Sequence, residues 1–240
     1  MTGGLIDMDK ANRTVAIVLA AGSGKRMQSN TPKQYLLLNG KPILYYSLKA
    51  FEESSVEEVI LVVGKDEIDY CRKEIVEKYQ MKKTHTIIEG GAERYHSVNQ
   101  GLLAVTSADF VLIHDGARPF ITVEIIERTM EQVAVHRACV VGVPSKDTVK
   151  IVNENRIVSE TPNRSNIWCS QTPQAFSYAI ITEAYKKMME GVPINITDDA
   201  MVVEHTLHYP VKMIMGSYSN IKITTPDDLQ IGECLLKNNS

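Results

Sequence analysis

The sequence predicts an α/β fold, a mostly parallel sheet with helices on both faces. Two observations carry that prediction. Short apolar runs alternate five times with segments of helical period between Val15 and Val143, which is the signature of a wound parallel sheet. The first run, Ala16–Leu19, passes straight into a small glycine-bearing turn, Ala20-Ala21-Gly22-Ser23-Gly24, as a buried strand does where it leaves such a sheet. The length of 240 residues suits one large domain, expected over residues 14–240, with a flexible tail over residues 1–13.

After the opening turn, Tyr35–Leu38 is a short apolar piece, and Pro42 is expected at the first position of a helix carrying Ile43, Tyr46, Ser47, Ala50 and Phe51 at helical spacing. Val59–Val63 reads as a strand ended by Gly64. Asp66–Tyr79 reads as a charged helix with Ile68, Cys71, Ile75 and Tyr79 inward. Thr84–Ile88 is a strand, Glu93–Val105 a helix, and Phe110–Ile113 a buried strand, followed by the loop His114–Pro119. Thr122–Val135 is a helix with Glu124 where the macrodipole favours an acid, and Cys139–Val143 is the next strand.

At Pro144 the pattern changes. Two β-prone runs, Thr148–Val152 and Arg156–Ser159, flank Asn153-Glu154-Asn155 and predict a hairpin over about residues 144–166. So small a hairpin has little core of its own, so it lies on the domain or reaches a neighbouring subunit. Helices Tyr178–Met189 and Asp198–His205, strands Val211–Met215 and Asn220–Thr224, and a last helix capped by Thr225 before Pro226 complete the chain.

Composition excludes several functions. Hydrophobic residues make up 44% and charged residues 23%, ordinary for a soluble globular chain. The net charge of -3 argues against a nucleic-acid binder, so an anionic ligand must be met by local cations. Cys71, Cys139, Cys169 and Cys234 are far apart and read as free thiols. No apolar run approaches the roughly 18 residues of a spanning helix, and Met1–Arg13 lacks a signal-peptide core. A soluble, cytoplasmic protein with no membrane or nucleic-acid partner is expected.

Chemistry concentrates in a few stretches. Small residues at a strand end let backbone N–H groups approach an anion, and Lys25, Arg26 and Lys33 supply charge beside them. The pattern is neither a Walker loop, since Arg26 follows Lys25, nor a dinucleotide fingerprint, since Met27 occupies the third small position. Gly90-Gly91 before a helix could admit a flat base, with Ser97 one turn in to hydrogen-bond it. Equally, it is a plain strand–helix turn. Asp115 could bind metal, accept from sugar hydroxyls or pair with Arg118. His205 and His208 lack a third ligand nearby and read as structural. Lys222, within Asn220-Ile221-Lys222-Ile223-Thr224, is either a solvated edge residue or a cation aimed at the strand-end crevice.

Together L-A-A-G-S-G-K-R-M…P-K, G-G-x-x-R-x-x-S-V, H-D-G-A-R-P, D-T-V-K, T-P-N-R-x-x-I-W, Q-T-P-Q-A-F, I-T-D-D-A and N-I-K-I-T-T-P-D-D-L resemble the 2-C-methyl-D-erythritol 4-phosphate cytidylyltransferase family, from about Val15 to Leu229 in consistent order. The resemblance implies a Rossmann-like fold of the nucleotide-diphospho-sugar transferase type, with a protruding β-arm that swaps across a homodimer. It implies transfer of CMP from CTP to 2-C-methyl-D-erythritol 4-phosphate, with release of pyrophosphate, in non-mevalonate isoprenoid biosynthesis. Mg²⁺ would ride on the CTP phosphates, with no dedicated protein metal site.

Carried over residue by residue, Ala20, Ala21, Gly22 and Gly24 would line the triphosphate, and Arg26 and Lys33 would stabilise the transition state. Gly91 and Ser97 would hold cytosine. Asp115, Arg118 and Thr172 would contact ribose or the erythritol phosphate. Thr148 and Arg164, on the arm, would reach the partner subunit's substrate, and Lys222 would grip the substrate phosphate. The sequence departs from the family where Ala92 replaces a common Asp and Gly116 a common Ala. Ribitol-5-phosphate cytidylyltransferases share several of these motifs and are the alternative, as is a non-catalytic nucleotide-binding module. The segment Thr161–Arg164 with Trp168 looks more like the erythritol branch.

Overall fold

The first strand, β1 (Thr14–Ala20), is buried along almost its whole length, as an apolar run between two helical layers must be. The computed structural model describes residues 12–22, 27, 31–191 and 195–238. Most of the expected N-terminal tail, together with Gly24 and Arg26, lies outside the described residues. Arg13 is tied to the body: its N–H donates to Asp109 at 2.8 Å, its Nε to the Ser107 carbonyl, and its guanidinium to Glu58.

A 3₁₀ turn, Lys33–Tyr35, leads into the short strands β2 (Leu37–Leu38) and β3 (Lys41–Pro42). Then come α1 (Ile43–Glu53), β4 (Glu58–Val63), α2 (Ile68–Tyr70) prolonged by π-helical turns over Cys71–Glu77, β5 (Thr86–Glu89), α3 (Arg94–Ala104) and β6 (Phe110–Asp115). The chain continues through α4 (Val123–His136), β7 (Ala138–Pro144), β8 (Ile151–Val152), β9 (Val158–Glu160), a 3₁₀ turn Arg164–Asn166 and β10 (Trp168–Ser177). It ends in α5 (Tyr178–Glu190), α6 (Asp199–Leu207), β11 (Lys212–Met215) and α7 (Pro226–Asn238).

Seven strands form one sheet in the order β11-β7-β10-β6-β1-β4-β5. All neighbours run parallel except β10, which is antiparallel to both β6 and β7. From β1 the chain winds outward through β4 and β5, then returns to place β6 on the other side of β1. Strand order therefore reverses between β1 and β6, and the crevice at the carboxyl ends there is where open α/β sheets bind ligands. The register puts Leu19 beside Asp115 and Ala20 beside Val63, so the loops after these strands rise at one place.

Alternate residues of β1 feed two cores, as the period of a strand requires. Ala16 and Val18 pack with Leu44, Leu48 and Phe51 of α1 and Ile125, Ile126 and Val133 of α4. Val15 and Ile17 pack with Val98 and Leu102 of α3, Ile181 and Tyr185 of α5, and Val202 and Val203 of α6. A third, smaller cluster sets Ile223, Leu38, Ile43 and Phe120 under Leu229, Leu235 and Leu236 of α7.

Two expectations need correction, and one strand stands where none was expected. Asn220–Thr224 is not a strand. Its polar groups make no sheet ladder: Asn220 Nδ2 donates to the carbonyl of Thr172 in β10 at 3.0 Å, and Ile223 N to the Ala117 carbonyl in the loop after β6 at 2.8 Å. The sequence reading also has no counterpart for β10. Its exposed residues are Cys169 and Ser170, its buried stretch begins with the polar Gln171 and Thr172, and its register shifts between Ser170 and Gln174, so neither an apolar run nor a clean alternation marks it. Pro42 sits just outside α1 at ψ 143, and the helix begins at Ile43.

The start of α7 matches expectation. Asp228 N donates to Thr225 Oγ1, while the Asp228 carboxylate accepts from Thr224 N and Thr225 N at 2.8 Å, a reciprocal cap.

The hairpin β8–β9 forms its own two-stranded sheet, closed by the Asn153 side chain, which accepts from Asn155 N and Ile157 N at 3.0 Å. Its apolar residues Ile151, Val152, Ile157 and Val158 are all exposed. This is the protruding β-arm.

Candidate active site

A cleft of about 350 Å³ opens at the carboxyl ends of β1, β5 and β6. Its walls come from Ala20, Ala21 and Gly22 after β1, Lys33 and Gln34 on the 3₁₀ turn, the segment Gly91–Arg94 with Ser97, Asp115 and Ala117 after β6, and Lys222. A Cβ added at Gly22 would meet nothing within 4 Å, so the missing side chain leaves open space beside the strand end. At Gly90 the need is steric, because a Cβ there would lie 2.5 Å from Ser97 Oγ and 2.7 Å from Ala21 Cβ. Ser97 accepts from Gly91 N at 3.1 Å and lies 3.3 Å from the Glu93 carbonyl, folding the glycine pair over the start of α3.

Electrostatically the cleft is built around Asp115. Arg94 Nε lies 3.3 Å from one carboxylate oxygen; Lys222 Nζ lies 2.8 Å and Arg118 Nε 3.9 Å from the other. Burial alone would push the Asp115 carboxyl upward, but the charges of Arg94, Lys222 and Arg118 outweigh it and hold the group well below the usual carboxylate range. Arg94 is gripped from behind by Asp199, with two bonds of 2.8 and 2.7 Å, and Tyr185 donates to the same carboxylate at 2.6 Å. Burial works against the Arg94 charge, but Asp199 and Asp115 keep its pKa well above the ordinary value. Lys222 owes its place to Ile223, which is buried in the cluster under α7.

Behind Asp115 lies a buried relay. Asp115 N donates to Thr172 Oγ1 at 3.1 Å, and the same oxygen lies 3.1 Å from His114 Nδ1. His114 Nε2 faces the Arg118 carbonyl at 3.4 Å; a carbonyl only accepts, which puts the proton of the neutral ring on Nε2 and leaves Nδ1 to accept from the Thr172 hydroxyl. Burial pushes His114 down to about 4, with Arg118 and Lys222 adding to the effect, so the ring is neutral at pH 7. Asn220 closes the far side, donating to the Thr172 carbonyl and accepting Arg118 at its own carbonyl, 2.8 Å away.

The structure thus gathers Ala20, Ala21, Gly22, Lys33, Gly91, Ser97, Asp115 and Lys222 around one cleft. Arg118 and Thr172 sit behind it as supports of the Asp115 loop. Thr148 and Arg164 lie on the exposed arm and do not line the cleft of their own chain; Arg164 donates to the Lys146 carbonyl at 3.3 Å.

Sequence reasoning did not single out Gln34, Arg94, Asp199 or Tyr185. Arg94 and Asp199 stand inside the quoted motifs G-G-x-x-R and I-T-D-D-A, and that was their only signal. Their pairing spans 105 residues of sequence.

Comparison with known proteins decides the family. The family model IspD, 2-C-methyl-D-erythritol 4-phosphate cytidylyltransferase, matches residues 14–238. The chain belongs to the IspD family. It is 51% identical over 225 residues to the 2-C-methyl-D-erythritol 4-phosphate cytidylyltransferase of Lachnoclostridium phytofermentans, covering 94% of this chain and 97% of the relative. The Clostridium botulinum enzyme of the same name is 50% identical over 222 residues, covering 92% and 98%. Among solved IspD-family structures, 4-diphosphocytidyl-2C-methyl-D-erythritol synthase from Anaerococcus prevotii superposes with a TM-score of 0.84 at 35% identity, over 94% of this chain and 96% of that one. The Thermus thermophilus cytidylyltransferase gives 0.74 at 29% identity, over 92% and 98%. The nucleotide-diphospho-sugar transferase fold is therefore shared along nearly the whole IspD chain.

Proposed function

We infer that this chain transfers CMP from CTP to 2-C-methyl-D-erythritol 4-phosphate, releasing pyrophosphate, the step its family performs in non-mevalonate isoprenoid biosynthesis. The observation that carries the reading is the cleft itself. A small-residue strand end for a triphosphate, a glycine pair for a base, and Lys33 and Lys222 for phosphate charge meet at the switch point of the sheet.

The chemistry needs no protein nucleophile, because the attacking phosphate oxygen is already ionised at pH 7. It attacks the α-phosphorus of CTP in line, and the α–β phosphoanhydride bond breaks. The protein's work is to bring two anions together and relieve their repulsion. In this account Lys33, with Arg26, meets the charge that grows at the α-phosphorus. Gly91 and Ser97 take the cytosine edge, and Asp115 accepts from sugar or polyol hydroxyls. Asp115 suits that part because its neighbours keep it ionised, and an ionised carboxylate only accepts. Lys222 holds the substrate phosphate, while Arg118 and Thr172 keep the Asp115 loop in place.

The donor set fits a Mg²⁺ carried by the nucleotide. The carboxylates lining the cleft are Glu93 and Asp115, and both Asp115 oxygens face cations. CTP phosphates and water would furnish most of the ligands, and the ion would supply further charge neutralisation.

The arm completes the proposal. Thr148 and Arg164 are exposed and do not line their own cleft, and Ile151, Val152, Ile157 and Val158 form an apolar surface that a second copy would cover. A homodimer in which each arm brings Thr148 and Arg164 to its partner's substrate accounts for both features. No helix among the described residues is long and apolar enough to cross a membrane, and a cytoplasmic enzyme is part of the same reading.

The test is pyrophosphate release from CTP with 2-C-methyl-D-erythritol 4-phosphate and ribitol 5-phosphate in parallel. Turnover with the erythritol substrate well above that with ribitol is expected. The reverse order would assign the ribitol branch, and no release with either would leave a binding module.

A further inference from the structure

Lys33 occupies a turn of three residues, and the other two side chains of that turn, Gln34 and Tyr35, are both buried. The turn is closed by its backbone, with Tyr35 N donating to the Pro32 carbonyl at 2.9 Å and Leu36 N to the Lys33 carbonyl at 3.2 Å. Gln34 Nε2 reaches across the cleft wall and donates at 2.6 Å to the carbonyl of Ala20, the last residue of β1. Tyr35 turns the other way. Its hydroxyl donates at 2.7 Å to Glu67, whose same oxygen accepts Gly64 N at 2.9 Å immediately after β4. Burial, with Cys71 and Glu67 beside it, pushes the Tyr35 pKa up, so the hydroxyl keeps its proton and remains a donor.

The two side chains next to Lys33 are thus each fastened to the end of a central strand. An amide buried to 2% exposure at the rim of a polar cleft would be costly without a partner, and a leucine would fill the same volume if packing were the sole requirement. The geometry points to Gln34 as a positioning residue, which ties the Lys33 turn to the end of β1 and so sets where the Lys33 ammonium stands over the reacting phosphate. The Tyr35–Glu67 pair is the second tie, to β4. Gln34 touches neither reacting atom in this scheme and acts through Lys33. The inference rests on the role given to Lys33 above.

The experiment is a double-mutant cycle in the full chain: wild type, Lys33→Ala, Gln34→Leu and the double variant. For each, kcat and KM for both substrates are read from pyrophosphate release, together with a melting curve. Gln34→Leu should lower kcat by about 10- to 100-fold with KM for either substrate little changed, the scale for misplacing a catalytic group by about 1 Å. In the Lys33→Ala background the same substitution should add less than about twofold, because its target is gone. Tyr35→Phe, which keeps the ring and loses one hydrogen bond, should show a smaller kcat loss with the same dependence on Lys33, and stands in if Gln34→Leu does not fold. A wild-type kcat in Gln34→Leu, or an equal loss with and without Lys33, overturns the inference. A near-normal rate in Lys33→Ala alone overturns the reading of Lys33 beneath it, so the two failures are told apart.

Discussion

Replacing Asp199 by alanine should destabilise the chain more than any exposed substitution, and the structure gives the size of the effect. Asp199 is wholly buried, holds Arg94 with bonds of 2.8 and 2.7 Å and accepts Tyr185 at 2.6 Å. Removing one partner of a buried pair costs roughly 3–5 kcal/mol. The low end applies because the Arg94 side chain is 28% exposed and keeps a contact to Asp115 at 3.3 Å. Stranding the Tyr185 hydroxyl adds about 1 kcal/mol. At this chain length each kcal/mol shifts Tm by roughly 2–4 °C, so a total near 4 kcal/mol predicts a fall of about 8–16 °C. Tyr185→Phe keeps the ion pair and loses one hydrogen bond to a charged group, about 1.5 kcal/mol, for a fall of about 3–6 °C. Thermal unfolding followed by circular dichroism measures both. A Tm within 2 °C of wild type in Asp199→Ala would refute the claim that this carboxylate holds Arg94 in place.

Three further outcomes follow. Lys33→Ala should reduce kcat by about 10²–10³-fold, the scale for losing one transition-state donor, as measured by pyrophosphate release. Arg164→Ala should raise KM for the phosphate substrate while CTP affinity, read by calorimetry, changes little. At phosphate-substrate concentrations below that raised KM, mixing Arg164→Ala chains with Lys33→Ala chains should give more activity than the two components summed; no gain over that sum would contradict the exchange of arms. His114, pushed down to about 4 in the fold, stays neutral while its unfolded counterpart, near 6.5, takes up a proton. Its contribution is complete above about pH 6.5 and is lost as pH falls towards 4, at up to about 1.4 kcal/mol per pH unit. Asp115, whose folded pKa is depressed, loses its contribution only below about pH 4, so the two windows separate. Stability measured from pH 7 to pH 4.5 should fall more steeply in wild type than in His114→Gln; parallel curves would count against the neutral buried ring.

Much of this was legible in the sequence, for identifiable reasons. Buried parallel strands are apolar throughout, so β1, β4, β6 and β7 announce themselves, and the loops after β1 and β6 supply two walls of the cleft. The short-range signals at Thr225-Pro226-Asp227-Asp228 and around Asn153 were read correctly because caps and turns are local chemistry. What failed was non-local. β10 is antiparallel, carries polar Gln171, Thr172 and Gln174 in buried positions and is interrupted in register, so nothing in Trp168–Ser177 alone marks it as a strand between β6 and β7. Asn220–Thr224 has the composition of a strand, but its donors go to Thr172 in β10 and to Ala117 in the loop after β6. Arg94–Asp199 and Gln34–Ala20 are pairs whose meaning lies in the partner, and no spacing rule joins them.

Transfer of CMP exchanges one phosphoanhydride bond for another, and ³¹P nuclear magnetic resonance observes that exchange directly. With enzyme, CTP, Mg²⁺ and 2-C-methyl-D-erythritol 4-phosphate, such a transfer makes the CTP signals fade as one diphosphate diester and one pyrophosphate appear for each CTP consumed. CTP signals that persist unchanged, or pyrophosphate that appears with free CMP and no diester, would contradict it.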